Sequence, residues 1–327
     1  MLKIALLGAG SHSEHVHGPS LARLAQARPG EVELAAVCDL RKDRAELFRR
    51  EFGFRRAYTD LDQMLAEERP DACWVVTPIE LTRELAGRVI EAGVPTLLEK
   101  PPGVSLEEAR ELAEVAARAR APAMVAFNRR WASPIKQALA WVKEYGPFEY
   151  AFARMLRTRR LDERFAYGTG IHLLDCLRAL GEAALGPMRA ARTVRTAAAA
   201  GRYSFHVDLS FGEGRWGRCD ILPTCGAVEE SYALYGRDRM IVAALPWVMG
   251  GGRFVPGRAE LWLDGKPVEE HAYEADPLFL HAGFYGEAEE FAAALLEGRR
   301  PSPSPQEALS SVALAEAVQE GREVEFG

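Results

Sequence analysis

The chain has 327 residues, of which 48% are hydrophobic and 27% are charged, and its net charge is −6. This length predicts about two domains, and the composition is that of a folded globular protein rather than a disordered or fibrous one. No apolar run has the length needed to span a bilayer. The acidic balance lacks the basic footprint of a nucleic-acid-binding protein, so we expect neither a membrane nor nucleic acid as a partner.

The cysteines are scattered and include no Cys-x-x-Cys pair; they are Cys38, Cys73, Cys176, Cys219 and Cys225. This usage is typical of reduced thiols in a cytosol and not of a disulfide framework or a zinc knuckle. The first ten residues carry no cleavage-site pattern, which argues against a signal peptide. We therefore expect a cytoplasmic protein. The scarcity of asparagine, with Asn128 alone, resembles thermophile composition.

Residues 1–125 alternate short apolar runs with amphipathic helical patterns. The runs are typical of strands buried on both faces of a parallel sheet, and we predict them at Leu2–Leu7, Val32–Asp39, Arg56–Thr59, Ala72–Thr77, Pro95–Glu99 and Ala123–Phe127. Helical patterns separate them, at Glu14–Ala27, Lys42–Glu51, Leu61–Glu68, Glu80–Ala92 and Ser105–Arg118. Repeated strand–helix units predict an α/β fold with a doubly wound parallel sheet, a Rossmann domain over residues 1–125.

Residues 126–327 have a different pattern, in which strands and helices are segregated. We predict strands at Tyr203–Phe211, Arg215–Ile221, Val228–Tyr235 and Ala259–Leu263, and helices at Ile171–Leu180, Tyr285–Glu297 and Gln306–Glu320. This order predicts an α+β domain with a large, mostly antiparallel open sheet backed by helices. The open face of such a sheet favours a homodimer or homotetramer formed through it.

A glycine-rich turn, Gly8-Ala9-Gly10-Ser11-His12-Ser13, follows the first predicted strand and begins the first helix. In this context the pattern is a dinucleotide-binding fingerprint. Gly8 allows the tight turn, Gly10 lets the backbone approach a pyrophosphate, and Ser13 replaces the third glycine. Asp39 ends the second strand and can bind the ribose hydroxyls of NAD, whereas Arg41 and Lys42 can hold the 2′-phosphate of NADP. We expect NAD to be favoured over NADP.

Three histidines, His12, His15 and His17, lie on the same turn and helix start. Their His-x-x-His and His-x-His spacings are able to bind a metal ion. A metal there would compete for space with the pyrophosphate, and a spacing without its structural context is a weak signal. We therefore expect no metal site and interpret these histidines as polar residues around a phosphate.

Lys100 closes the fifth predicted strand, in the segment Leu97-Leu98-Glu99-Lys100-Pro101. The carboxyl end of a parallel strand faces the ligand crevice. Beside a cationic nicotinamide ring, burial disfavours the charged form of a lysine. Such a lysine can donate or accept a proton near neutral pH.

With this segment the chain resembles the Gfo/Idh/MocA oxidoreductases, nearly from end to end. The motifs that carry the resemblance are Val37-Cys38-Asp39, Val76-Thr77-Pro78, Glu99-Lys100-Pro101, Phe127-Asn128-Arg129-Arg130-Trp131, Gly170-Ile171-His172-Leu173-Leu174-Asp175 and Gly321-Arg322-Glu323-Val324. The resemblance implies an NAD(P)-dependent dehydrogenase or reductase. Its reaction would be hydride transfer between nicotinamide and a hydroxyl-bearing carbon of a sugar, sugar derivative or cyclitol.

The resemblance also implies roles for individual residues. Lys100 and His172 would be catalytic, with Lys100 polarising or deprotonating the hydroxyl and His172 sharing the proton. The cofactor site would comprise Gly8, Gly10, Ser11, His12, Ser13, Asp39, Arg41, Thr77, Pro78, Glu99 and Lys100. The substrate would meet Lys100, Arg129, Trp131, His172 and Asp175. Asp175 lies one helical turn after His172 and either contacts the substrate or belongs to the hydrogen-bond network of its helix.

Three positions depart from the family's pattern. Gly168 stands where an acid is usual, four residues before the histidine, and Ile79 and Thr82 stand where asparagine and histidine are usual. Lost polar groups change which substrate hydrogen bonds can be met. Two alternatives therefore stay open: a nucleotide-binding sensor or scaffold with little turnover, and a lyase or hydrolase that retains its nicotinamide.

The stretch from Arg154 to Arg202 is locally basic. Arginine forks suit carboxylate or phosphate groups, which raises the hypothesis of an anionic substrate. The favoured interpretation is that these arginines pair with local acids on a solvated face.

Overall fold

The computed structural model describes residues 1–119, 121–249 and 252–327. The chain divides into two compact units. The N-terminal unit comprises Met1–Phe127 and Phe284–Leu309, and the C-terminal unit comprises Asn128–Gly283 and Ser310–Gly327. Among the described residues, no helix is both long and apolar enough to cross a membrane.

The strands of the N-terminal unit form one parallel sheet; they are β1 (Leu2–Leu7), β2 (Val32–Cys38), β3 (Arg56–Tyr58), β4 (Ala72–Val75), β5 (Thr96–Glu99) and β6 (Ala123–Ala126). Their order in the sheet is β3-β2-β1-β4-β5-β6. This is the order of a doubly wound dinucleotide-binding sheet and confirms the predicted fold. Successive strands are added on one side of β1 up to β3 and on its other side from β4 onward. In such folds the ligand crevice lies at this switch in strand order, at the carboxyl ends of β1 and β4.

The helices between these strands are α1 (Gly18–Ala27), α2 (Lys42–Phe52), α3 (Leu61–Glu68), α4 (Ile79–Glu91) and α5 (Leu106–Ala119). α5 begins with a side-chain cap, because the Ser105 hydroxyl accepts the amide of Glu108 at 3.2 Å. The first predicted helix, Glu14–Ala27, differs from the expectation. Its start is a π-helical turn over Ser13–His17, and the regular α-helix begins only at Gly18.

The C-terminal unit contains α6 (Ser133–Tyr145), β7 (Tyr150–Leu156), α7 (Ile171–Leu185), β8 (Met188–Ala197), β9 (Tyr203–Phe211), β10 (Trp216–Leu222), β11 (Glu229–Gly236), β12 (Arg239–Ala244), β13 (Trp247–Met249), β14 (Arg253–Val255), β15 (Gly257–Leu263), β16 (Lys266–Tyr273) and α8 (Leu278–His281). The chain ends with α9 (Phe284–Leu296), α10 (Pro305–Glu320) and β17 (Val324–Glu325).

The large sheet of this unit has the order β16-β15-β12-β11-β7-β10-β9-β8-β17. β7 and β10 pair in parallel, and the other pairs are antiparallel. The predicted mostly antiparallel sheet is thus confirmed. α6 packs on β12 and β15, and α7 packs on β7 and its neighbours. Along β7 buried residues alternate with partly exposed ones, as expected for a sheet with helices on one face.

The segment Phe284–Leu309 belongs to the N-terminal unit, whereas the sequence analysis assigned all of residues 126–327 to the second domain. The reason is apolar packing. The Phe291 ring stands edge-on against Trp74 with ring centroids 5.0 Å apart, and both side chains are fully buried. Farther along, the Pro303 carbonyl accepts the amide of Val125 at 2.9 Å, at the edge strand β6.

Candidate active site

The turn after β1 runs so close to β4 that only glycine fits at position 8. Gly8 has a φ of +101°, and a Cβ there would lie 2.0 Å from the carbonyl oxygen of Val76. Gly10 differs, because a Cβ on it would meet no described heavy atom within 4 Å. Gly8 therefore makes the tight turn, and Gly10 leaves open space beside the backbone, as a bound pyrophosphate requires.

Ser13 occupies the position of the third glycine in the fingerprint. It is fully buried, and its hydroxyl donates to the carbonyl of Gly8 at 2.5 Å. The serine thus satisfies its own polar group within the turn, so its side chain is compatible with close packing of the turn against the helix.

Asp39, at the end of β2, is held by the backbone of two neighbouring segments. Its Oδ2 accepts the amide of Ala9 at 2.9 Å, and its Oδ1 accepts the amide of Arg41 at 3.0 Å. These bonds fix the carboxylate beside the glycine turn. The Arg41 guanidinium is exposed, with its Nε 3.7 Å from the same Oδ1. The orientation of the Asp39 carboxylate is therefore fixed by backbone amides on both of its oxygens.

A cavity of about 550 Å³ lies at the carboxyl ends of β1, β2 and β4. Six of the predicted cofactor residues line it: Gly8, Gly10, Asp39, Arg41, Thr77 and Pro78. Ser11, His12, Ser13, Glu99 and Lys100 are not part of its lining. Thr82, one of the departures from the family pattern, lies behind Thr77, and their hydroxyl oxygens are 3.3 Å apart.

The charges around this cavity are mainly acidic. Asp39, Asp60 and Glu84 line it together with Arg41 and Arg88. Arg88 donates to Asp62 at 2.7 Å. Arg88 is therefore already paired with an acid, and the other arginine of the lining, Arg41, lies beside Asp39.

Glu99, at the end of β5, is a second organised site in the N-terminal unit. Its Oε2 accepts the amide of Lys100 at 3.1 Å. Its Oε1 lies 2.8 Å from Nε2 of His17 and 3.2 Å from Nε2 of His12. Burial by itself raises the pKa of the Glu99 carboxyl, but His12 and His17 outweigh it and hold this pKa well below its usual value. Burial lowers the pKa of His17 despite the neighbouring carboxylate.

Sequence reasoning missed this grouping. It considered the histidine spacings 12–15 and 15–17, but His15 turns away and its Nδ1 lies 2.7 Å from the carbonyl oxygen of Ser11. The π-helical turn instead brings together residues five apart, His12 and His17, with ring centroids at 5.2 Å. A helical pattern of period 3.6 carries no signal for this pair.

In the C-terminal unit, His172 and Asp175 lie in the first turns of α7 and both are buried. Arg130 donates two hydrogen bonds to Asp175, at 2.8 and 2.7 Å, and Ser311 donates a third at 2.6 Å. Both oxygens of Asp175 thus have protein partners. Of the two interpretations left open for Asp175, this geometry favours the hydrogen-bond network.

Arg129 is also a buried network residue. It donates to Glu230 at 3.2 and 3.4 Å and to the side-chain oxygen of Asn128 at 3.1 Å. Arg157 donates to the same Glu230 carboxylate. Burial alone raises the pKa of the Glu230 carboxyl, but the two guanidinium groups lower it to about 2. Arg129, expected to touch substrate, is therefore bound to a protein carboxylate.

Two further positions that the sequence analysis singled out in this unit are Trp131 and Gly168. The indole Nε1 of Trp131 is buried and has no hydrogen-bond partner among the described residues. Gly168 lies in a π-helical turn, Ala166–Gly170, that leads into α7. A Cβ on Gly168 would meet no described heavy atom within 4 Å, so crowding does not explain the absence of an acid there.

Several arginines of the basic stretch bind nearby carboxylates. Arg154 pairs with Glu229 at 2.6 Å and Arg160 with Asp162 at 2.7 Å. Arg202 lies 3.6 Å from Glu163. These ion pairs favour a solvated surface on which arginines are paired with nearby acids. They do not favour a binding site for an anionic substrate.

Comparison with known proteins identifies the N-terminal region. Residues 2–127 match the family model GFO_IDH_MocA, described as an oxidoreductase family with an NAD-binding Rossmann fold. D-glucoside 3-dehydrogenase of Escherichia coli is 29% identical over 136 residues, which are 42% of this chain and 37% of that protein. D-apiose dehydrogenase of Paraburkholderia graminis is 30% identical over 192 residues, 54% of this chain and 49% of that protein. The matches thus span about a third to a half of these relatives.

Solved structures match the whole chain. Levoglucosan dehydrogenase in complex with NADH and L-sorbose has a TM-score of 0.80 at 18% identity, covering 100% of this chain and 99% of that one. An oxidoreductase from Agrobacterium radiobacter in complex with NAD+, L-tartaric acid and magnesium has a TM-score of 0.77 at 20% identity, covering 99% and 98%. At these identities the likeness establishes the fold. Residues 2–127 thus match the NAD-binding Rossmann fold of the Gfo/Idh/MocA oxidoreductase family, and the whole chain shares the fold of these solved structures.

Proposed function

We propose that this chain is an NAD(P)-dependent oxidoreductase. It transfers a hydride between nicotinamide and a hydroxyl-bearing carbon of a sugar, sugar derivative or cyclitol. The observation that carries the proposal is the turn after β1, where Gly8 and Gly10 border a cavity that the oriented Asp39 carboxylate also lines. Sugar dehydrogenases among the relatives and neighbours agree with the substrate class.

The N-terminal unit binds the dinucleotide, and the C-terminal unit supplies residues for the substrate. A nicotinamide bound there would supply the acceptor or donor of the hydride. In the oxidation direction Lys100, as the neutral amine, takes the hydroxyl proton while the C–H bond breaks and the C=O bond forms. His172 shares this proton and orients the substrate.

The contacts of the remaining substrate residues refine their roles. The buried Nε1–H of Trp131 is available to donate a hydrogen bond to a ligand. Arg129 and Asp175 act through the networks in which they are bound, with Glu230 and Arg130 respectively. Because nearby acids neutralise the surface arginines, we favour a neutral substrate over an anionic one.

NAD is favoured over NADP on charge. Asp39 and Asp60 line the cavity at the end of β2, and a 2′-phosphate there would add negative charge beside them. Repulsion between like charges at short distance weakens binding. Arg41 is the residue that opposes this preference, since an exposed guanidinium is able to hold a phosphate.

The cofactor test is a fluorescence titration of the purified protein with NADH and NADPH, after a denatured sample has been checked for retained nucleotide. We expect the unchanged protein to bind NADH more tightly than NADPH. In Asp39→Ala the ratio of NADH affinity to NADPH affinity should be smaller. Arg41→Ala is the matched control and should lower NADPH affinity more than NADH affinity. Tighter binding of NADPH to the unchanged protein would reverse the assignment of the cofactor.

The chemical test is a substrate screen with Lys100→Ala. We expect this variant to bind the nucleotide normally and to lose turnover by at least about 100-fold, whereas the exposed control Lys143→Ala retains both. Nucleotide binding without turnover of any neutral or acidic sugar, cyclitol or their ketones would favour the sensor or scaffold. Retained nicotinamide with redox-neutral bond cleavage would favour the lyase or hydrolase.

We also propose that the chain works in the cytoplasm as a homodimer or homotetramer formed through its large sheet. Several large apolar side chains of this sheet are exposed: Val194 on β8, Tyr203 on β9, Trp216 on β10 and Tyr235 on β11. Trp216 and Tyr235 both pair in register with Tyr150 of β7, and exposed apolar side chains that adjoin in this way favour an interaction surface. Light scattering after gel filtration should give a mass about two or four times the 36.0 kDa of one chain. Trp216→Arg should lower this mass, and a monomer mass for the unchanged protein would contradict the proposal.

A further inference from the structure

His12, His17 and Glu99 form a compact group of potential metal ligands. One ligand atom from each residue lies within 4.8 Å of the others. Nε2 of His17 and Nε2 of His12 both approach Oε1 of Glu99, at 2.8 and 3.2 Å. Two imidazoles and one carboxylate are a ligand set that binds zinc with a fourth position open.

The contacts of Glu99 bring two imidazoles to the same carboxylate oxygen. The carboxylate already has the Lys100 amide on Oε2 and the buried His17 on Oε1. The half-exposed His12 directs a second nitrogen at that same Oε1. Both imidazoles thus converge on one carboxylate oxygen, and a metal ion would take the second imidazole as its third protein ligand.

The local backbone is what makes the group possible. Residues five apart on a regular α-helix point in different directions, but the π-helical turn Ser13–His17 brings His12 and His17 to the same side. π-helical turns are frequent at functional sites. Phe284 stands edge-on to both rings, at 5.6 and 5.8 Å between centroids, and restricts their orientation.

The two distances from the imidazoles to the carboxylate are close to those of a tetrahedral site. Bonds of about 2.0–2.1 Å from zinc to its ligands place neighbouring ligand atoms about 3.3–3.4 Å apart. The two distances to Oε1 of Glu99, 2.8 and 3.2 Å, need to open by only about 0.1–0.6 Å to reach this spacing. The bond from the Lys100 amide to Oε2 supplies the outer contact that commonly orients a ligating carboxylate.

We propose that His12, His17 and Glu99 bind a divalent transition-metal ion, and that zinc is the ion their chemistry fits best. The site departs from the expectation drawn from the sequence, which considered only the spacings that involve His15. It also goes beyond the proposed hydride transfer, in which no metal takes part. Access is from the side of His12, because His17 and Glu99 are buried.

The test uses the full chain without a histidine tag, freed of metal by a chelator. Zn²⁺ is titrated in competition with a chromophoric chelator, and Co²⁺ is added separately to record the visible absorption of a four-coordinate site. We expect one equivalent of either ion to bind. His12→Ala should weaken zinc binding by at least about 10-fold. Loss of a residue that only hydrogen-bonds to a metal ligand already costs about that much affinity, and His12 would be a ligand itself.

His15→Ala is the matched control, since His15 lies on the same turn but outside the group. It should bind both ions as the unchanged protein does. Zn²⁺ should raise the melting temperature of the unchanged protein and of His15→Ala but not of His12→Ala. The change in melting temperature on adding Zn²⁺ is independent of a general loss of stability in a variant, because each protein is compared with itself with and without metal.

Absence of zinc binding to the unchanged protein, or equal binding to the His12→Ala variant, would overturn the proposal and leave a hydrogen-bonded cluster. NADH titration of the same metal-free samples separates this result from the proposed function. NADH binding without zinc binding would remove only the metal site, and zinc binding without NADH binding would remove only the dinucleotide site.

Discussion

The buried Glu230 carboxylate allows a sharp test of the C-terminal unit. It accepts hydrogen bonds from Arg129, Arg157 and the hydroxyl of Tyr232, the last at 3.0 Å. Glu230→Gln keeps the shape of the side chain but leaves two buried guanidinium groups without their counter-ion. Breaking a buried ion pair costs about 3–5 kcal/mol. At about 2–4 °C per kcal/mol, the melting temperature should fall by about 6–20 °C.

The neighbouring residue provides the control. Glu229 pairs with Arg154 at 2.6 Å, but their side chains are 36% and 43% exposed. Exposed pairs contribute about 0–1 kcal/mol, so Glu229→Gln should lower the melting temperature by less than about 4 °C. Both variants are to be melted at pH 7 by calorimetry and circular dichroism. Equal melting temperatures, within about 2 °C, would refute the reasoning that burial makes the Glu230 charge indispensable.

Three further predictions concern pH and glycine. Against the effect of burial, two guanidinium groups lower the pKa of Glu230 from 4.5 to about 2, so its stabilisation is complete above about pH 4.5 and is lost as the pH falls towards 2. The melting temperature should therefore fall more steeply over that range in the unchanged protein than in Glu230→Gln, and parallel curves would contradict the assignment. Gly8→Ala should lower the melting temperature, because its Cβ meets the carbonyl of Val76 at 2.0 Å. Gly10→Ala, whose Cβ lies in open space, should melt normally and bind NADH more weakly. A larger loss of melting temperature in Gly10→Ala than in Gly8→Ala would show that the turn adapts. Gly168→Asp should melt within about 2 °C of the unchanged protein, since its Cβ has free space, and a larger loss would indicate that the π-helical turn requires glycine.

Much of the N-terminal fold was predictable from sequence. Its strands are buried on both faces, so each appears as a short apolar run, and β1 matches the predicted Leu2–Leu7 at both ends. The glycine turn and the position of Asp39 were also predictable, because the turn follows β1 and Asp39 follows β2, and both positions depend on local backbone geometry. In the C-terminal unit the prediction was less complete. It omitted β7, where Arg154 interrupts the apolar pattern, and α6, which begins without a side-chain cap.

The sequence by itself determined the order of strands and helices in the N-terminal unit, the glycine turn after β1 and the location of Lys100 next to a strand end. These features depend on residues close together in the chain. Tertiary structure alone decided that Glu99 meets His17, that Arg130 binds Asp175, and that Phe291 packs on Trp74. Such partners are far apart in sequence, and they meet only because sheet order, burial of apolar surface and one π-helical turn bring them together.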